Sequence, residues 1–193
     1  MRKHNRPRRR GLIGLLLLAI VILGGVWLYQ RDPLALPYEA RGMRPLTTKS
    51  WQQSSMTKDY PNLSRHPNMW ILVSTKRQRV YLIDGHKTIY EMYCSTGAKN
   101  QATPTGTFHI QGERGQSFFN PSSGEGANFW ISFKNHGEYL FHSVPINDQG
   151  QYIVAEAQDL GKVARSHGCV RLSIPDAQWF FQNIPYNTKV VIR

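Results

Sequence analysis

The chain has 193 residues, with 24 Lys and Arg against 12 Asp and Glu for a net charge of +12, which leaves room for one domain of ordinary size plus an additional segment. Only two cysteines occur, Cys94 and Cys169, so a disulfide framework is excluded and a single Cys94–Cys169 bridge is the most that can form. Six of the basic residues fall in the first ten positions; the excess in the remainder suits an anionic polymer or a membrane surface, or serves solubility alone.

Behind this basic head (1–10), residues 11–29 read GLIGLLLLAIVILGGVWLY, an uncharged apolar run of 19 residues. As a helix it matches the roughly 30 Å hydrocarbon core of a bilayer. The arginine-rich flank belongs on the cytoplasmic side, and Trp27 and Tyr29 stand where an interfacial aromatic pair is found. The expectation is a single-pass signal anchor, with everything after it outside the membrane. A cleaved signal peptide is the competing reading, but the run exceeds a usual h-region and no small-x-small pattern clearly follows. Residues 30–67 scatter Pro33, Pro37, Pro45, Pro61 and Pro67 among polar residues without periodicity, as a linker or stalk does. Trp51, Tyr60 and Leu63 can anchor its second part, so order is expected from about residue 51.

The folded domain is expected at 68–193. Residues 70–74, 79–84 and 87–94 read as a meander, with Asp84-Gly85 as the hairpin signal between the second and third strands. Thr103-Pro104-Thr105-Gly106 fits a type I turn leading into a strand at 107–110. Further strands are expected at 129–133, 139–142 and 188–192, and helices at 153–160, closed by Gly161, and at 175–183. Short strands without long intervening helices predict a mainly β domain: a sandwich or a partly closed barrel with short helices.

The chemistry concentrates in Ser166-His167-Gly168-Cys169-Val170-Arg171-Leu172. A thiolate is a strong nucleophile, and a neighbouring glycine lets backbone N–H groups turn toward a developing oxyanion. A free thiol is mostly protonated at neutral pH, so it needs an imidazole or another cationic influence. His167 is two residues away, and His142 stands at the end of an expected strand. The residue types leave the choice between them open. A buried cysteine with two unrelated histidines is the bland alternative. A zinc site from His142, His167 and Cys169 is the sharper one, although no recognised zinc spacing is present. Asp176 suits the start of the final helix. His66, His86, His109 and His136 carry no comparable context, and Cys94 fits a buried strand position.

Taken together, Ser95-Thr96-Gly97, Thr103-Pro104-Thr105-Gly106-Thr107-Phe108, Phe141-His142-Ser143, the Ser166–Leu172 stretch and Asp176-Ala177 closely resemble the L,D-transpeptidase (YkuD-like) catalytic domain. The resemblance implies a cysteine acyltransferase of peptidoglycan. Cys169 attacks the third residue of a tetrapeptide stem, expels D-alanine and passes the resulting thioester to an amine of a second stem, giving a 3-3 cross-link. By the same resemblance His142 is the general base and Ser143 belongs to the region that orients it. His167 and Gly168 line the oxyanion side, and Ser166 and Arg171 bind substrate or brace the loop. The implied partners are peptidoglycan stems and carbapenem-type β-lactams, with no cofactor, metal or nucleic acid. The expected location is the wall side of a bacterial cell membrane. An L,D-carboxypeptidase passing the thioester to water and a non-catalytic wall-binding module are the alternatives. The 23 residues between His142 and Ser166 exceed the family's compact spacing, which keeps His136 and His167 as alternative bases.

Overall fold

The computed structural model of the protein describes residues 42–193. The basic head, the expected anchor at 11–29 and the first part of the linker lie outside the described residues. Among those described, no helix is long and apolar enough to cross a membrane.

Strands β1 (Met69–Ser74), β2 (Arg79–Asp84) and β3 (Lys87–Ser95) form the expected meander. Asp84 faces Lys87 across a two-residue connection, with Gly85 at φ 59° in its first central position, the pattern of a type II′ turn. There follow β4 (Gly106–His109), β5 (Arg114–Asn120), β6 (Glu125–Lys134), β7 (Tyr139–Ser143), helix α1 (Val154–Ala157), β8 (Val170–Leu172), helix α2 (Ile174–Asn183) and β9 (Lys189–Ile192). The helix expected at 153–160 is one turn, α1, continued by turns. The expected type I turn at 103–106 is absent, and residues 102–105 carry no turn or helix.

The nine strands of the described residues join one sheet in the order β4-β9-β1-β2-β3-β8-β7-β6-β5. The sandwich alternative is thereby corrected: a single twisted sheet curls instead of two sheets stacking. Register shifts at Leu82/Ile83 and Ser132/Lys134 mark where two strand pairs bend. Phe108 on β4 meets Phe133 on β6 with ring centroids 5.7 Å apart, so opposite ends of the sheet approach and the barrel is partly closed.

Ile71, Val73, Val80, Leu82, Met92, Cys94, Phe141 and Val170 turn one face of the sheet into the main core. Helix α2 covers that face, because Ala177, Phe180 and Ile184 recur at helical spacing and the Phe180 ring packs tilted against Phe141 with centroids 4.7 Å apart. Ser173 caps the helix by accepting from the Asp176 amide, and Pro175 sits in its first turn. Phe180→Ala would cost about 3–5 kcal/mol and release this helix. On the opposite face, Trp51, Tyr93, Val144, Ala157 and Leu160 make a smaller cluster. The segment before β1 takes part in both: Met56 is fully buried in the main core, Leu46 packs on the smaller cluster, and Met43 touches both.

The long spacer now has a topological cause. β7 and β8 pair in parallel, and parallel neighbours need a crossover of about a dozen residues or more. The spacer supplies it, held by Asn147 Oδ1 accepting from the amides of Gln149 and Gln151 and by an isolated bridge from Ile146 to Gly126.

Candidate active site

Alternation along β7 sends Phe141 into the core and places Leu140 and His142 on the other face. The parallel register sets Phe141 opposite Val170 and His142 opposite Arg171. The same period puts Arg171 and Cys169, one residue before the β8 ladder, beside Leu140 and His142. This face opens into a cavity of about 430 Å³, to which Glu125, Glu138 and His167 also contribute.

His142 is buried, and its Nδ1 lies 2.6 Å from the carbonyl oxygen of Ser143. A carbonyl only accepts, so Nδ1 carries the hydrogen and Nε2 keeps its lone pair. The Ser143 hydroxyl is held in turn, accepting from the Asn128 amide at 3.0 Å and donating to the Val144 carbonyl at 2.8 Å. Phe118 packs edge-on to the imidazole at 5.8 Å. Burial, helped by the positive charge of Arg171, pulls the imidazole down to about 3 in spite of the Ser143 bond.

The thiol of Cys169 points toward the Glu138 carbonyl, at 3.7 Å. Burial pushes it up to about 11, while a bond to the Leu140 backbone and the charge of Arg171 pull the other way. Burial thus favours the neutral form of both sulfur and imidazole.

The loop before the cysteine is fastened from several sides. The Ser166 amide donates to Thr96 O at 3.0 Å, and its carbonyl accepts from the Ala98 amide at 2.9 Å. The Ser166 hydroxyl donates to the Cys169 carbonyl and accepts from the Gly168 amide at 3.1 Å. Thr103 Oγ1 accepts from the Gly97 amide at 2.8 Å. The motifs around Ser95 and Thr103 thus act by holding the cysteine loop. Gly168 adopts φ +120°, and a Cβ there would stand 2.9 Å from a ring carbon of Tyr139. Its amide is committed to Ser166, so Gly168 shapes the loop, and it is Ser166, His167 and Cys169 that line the cavity.

Arg171 is 2% exposed and bridges two carboxylates, Glu125 Oε2 at 2.6 Å and Glu156 Oε2 at 2.5 Å. His167 is half-exposed, with Nδ1 3.7 Å from the same Glu125 oxygen. Of the predicted residues, Cys169, His142, His167, Ser166 and Arg171 converge on the cavity, while Ser143 stands behind the imidazole. His136 lines a separate groove and pairs with Glu113 at 2.8 Å. Among the described residues no three His, Cys, Asp or Glu side chains are grouped to hold a metal, and Cys94 and Cys169 are separate thiols. Asp176 does more than open a helix: it accepts from the Ser55 amide and hydroxyl and from Tyr60 OH at 2.7 Å. Sequence reasoning missed Glu125 and Glu156, since nothing in their local pattern links them to Arg171.

Residues 68–192 match the family model of the L,D-transpeptidase catalytic domain, YkuD. YciB of Bacillus subtilis (strain 168), whose name assigns it to the L,D-transpeptidases, is 48% identical over 149 residues, 76% of this chain and 75% of its own. Among solved structures, the LD transpeptidase LdtMt1 in complex with imipenem superposes with a TM-score of 0.54 at 17% identity, over 65% of this chain and 59% of that one. L,D-transpeptidase 3 from Mycobacterium tuberculosis, with a faropenem-derived adduct, gives 0.52 at 17%, over 65% and 60%. The chain thus spans less than two thirds of these solved proteins, and at such identity they speak for the fold. By the family model across most of its length, and by its likeness to YciB, the chain belongs to the L,D-transpeptidase catalytic domain family.

Proposed function

We propose that the protein is a peptidoglycan L,D-transpeptidase working through a thioester on Cys169. In this scheme Sγ attacks the carbonyl of the third residue of a tetrapeptide stem while His142 Nε2 takes the thiol proton. The tetrahedral intermediate collapses with loss of D-alanine, whose amine receives that proton from His142. An amine of a second stem then attacks the thioester, forming the 3-3 amide bond, and the proton it sheds returns through His142 to Sγ. The amide of Cys169, with His167 beside it, serves the developing oxyanion. Arg171 braces the floor and favours thiolate over thiol by its charge. The observation that carries this reading is the placement of Cys169 and His142 on one face of adjoining parallel strands, with Nδ1 tied back to Ser143.

The solved relatives in complex with imipenem and with a faropenem-derived adduct support the further expectation that carbapenem-type β-lactams acylate Cys169. Residues 11–29 anchor the protein in the bacterial cell membrane, with residues 1–10 cytoplasmic, the linker from residue 30 outside, and the catalytic domain (68–193) on the wall side. Salt-resistant sedimentation with membranes, lost on deleting 11–29, is the expected behaviour; a soluble full-length chain overturns the anchor.

Product analysis with a disaccharide-tetrapeptide tests the activity. Cross-linked dimer and free D-alanine, both abolished in Cys169→Ala, are expected. Tripeptide without dimer makes the protein an L,D-carboxypeptidase using the same thioester. No product, with wall binding retained, makes it a binding module.

A further inference from the structure

Glu125 comes from the start of β6 and opens onto the same cavity as Cys169. Its Oε2 contacts Arg171 Nη2 at 2.6 Å and stands 3.7 Å from His167 Nδ1, the residues two places to either side of the nucleophile. Arg171 is shared with Glu156 of α1, so one guanidinium serves two carboxylates. The other charged or titratable groups facing this floor are Glu138 from the β6–β7 turn and His142 from β7. Arg171 is one cation against three carboxyl groups, Glu125, Glu156 and Glu138, and Glu125 keeps 18% of its side-chain surface open. Phe118 and Trp130 supply apolar wall on the same cavity. Such a site takes a primary ammonium on a short alkyl stem.

The reaction proposed above needs a group of this kind. Its acceptor arrives at neutral pH as R–NH3+, which has no lone pair with which to attack a thioester. Two protons must leave before an amide exists. His142 can relay the second to Sγ, but its buried ring beside Arg171 is a poor holder for the first.

We propose that Glu125 is the acceptor-side residue of this site, binding the incoming alkylammonium and removing its first proton. This inference rests on the acyltransferase reading. The step is R–NH3+ with Glu125 carboxylate giving R–NH2 with Glu125 carboxylic acid. Glu125 is mostly buried, and there a neutral pair is held at less cost relative to an ion pair than in bulk water. The free amine then forms the C–N bond as the C–S bond breaks. Its second proton passes through His142 to Sγ, and the Glu125 proton leaves to solvent along the open edge of the carboxyl. Burial and the like charge of Glu156 raise the proton affinity of Glu125 against the pull of Arg171, which suits this role.

The test uses acyl-enzyme formed from a tetrapeptide donor and compares two acceptors: a stem peptide with a free primary amine, cationic at neutral pH, and hydroxylamine, which is uncharged there. The measured quantity is the ratio of aminolysis rates with the two acceptors, in wild type and in Glu125→Gln. The expected result is a fall in that ratio of about tenfold or more. A ratio within about twofold of wild type overturns the proposal, including the case where both rates drop together because Glu125 only braces Arg171. Should Glu125→Gln not fold, Glu125→Asp carries the test: KM for the ammonium acceptor rises and that for hydroxylamine does not, and equal changes overturn the proposal. Wild-type acyl-enzyme that accepts only water also overturns it. A wild type that releases no D-alanine overturns the acyltransferase reading itself.

Discussion

The Nδ1 of His142 lies 2.6 Å from the carbonyl oxygen of Ser143, its own neighbour in the chain. The strand end thus fixes the tautomer, leaving Nε2 as the basic nitrogen without recruiting a distant carboxylate.

With the neutral forms of imidazole and thiol both favoured, the pH behaviour of the free site should differ from that of a preformed thiolate–imidazolium pair. The thiol is pushed up to about 11 and the imidazole down to about 3. Alkylation of Cys169 by iodoacetamide is expected to rise steadily from pH 7 to 10, with Cys169→Ser as the blank. A plateau across neutral pH would show a resident thiolate instead. Under the same scheme, His142→Gln lowers the acylation rate by about a hundredfold or more, read by D-alanine release.

The same two groups shape stability. The unfolded chain protonates His142 below its ordinary 6.5, whereas the folded chain resists until about 3. The unfolded state therefore binds more protons in this window, and stability falls as pH drops from 6.5 toward 3. At the other end, the unfolded thiol ionises near its ordinary 9 and the folded one near 11, so stability falls as pH rises between these values. Urea midpoints measured against pH should show both limbs. His142→Gln should flatten the acid limb, and an acid limb unchanged in that variant would contradict the assignment.

Ser55 and Asp176 are 121 positions apart, and the amide and hydroxyl of Ser55 both reach the buried carboxylate. Removing the hydroxyl by Ser55→Ala leaves Asp176 with fewer donors and is expected to cost about 1.5–3 kcal/mol, measured by urea unfolding. A loss below about 0.5 kcal/mol would mean that the segment before β1 is not held through this contact.

Gly168→Ala combines a backbone angle that side chains rarely adopt with a close approach to Tyr139. The expected cost is about 1–3 kcal/mol, with slower acylation because the adjacent Cys169 shifts. Adding Tyr139→Ala relieves the ring contact but not the angle, so acylation should recover only in part. Wild-type acylation by Gly168→Ala alone would show that the loop tolerates other conformations.

Residues 79–84 and 139–142 were legible as strands because β-branched and aromatic residues mark them and β2 and β7 are buried along most of their length. Strand β5 was not legible: it is the sheet's outer strand, largely exposed, and its polar Arg114-Gly115-Gln116-Ser117 carries no apolar alternation. Strand β8 is three residues long, too short for any period to emerge. The sequence also left sandwich and barrel undecided, because closure depends on contacts such as Phe108 with Phe133, which only the curl of the sheet creates. Cys169, His167 and Arg171 could be found since they are contiguous, and His142 through the motif around it. Glu125 and Glu156 reach Arg171 across 46 and 15 positions, on elements whose approach follows from the parallel crossover between β7 and β8.

The proposed covalent capture on Cys169 is the step on which the acyltransferase reading depends, and intact-protein mass spectrometry after exposure to imipenem reads it directly. A single adduct of the carbapenem's mass is expected on the wild type, mapped by peptide digestion to Cys169, and none on Cys169→Ala. An unmodified wild type, or an adduct that persists in Cys169→Ala, would contradict that reading.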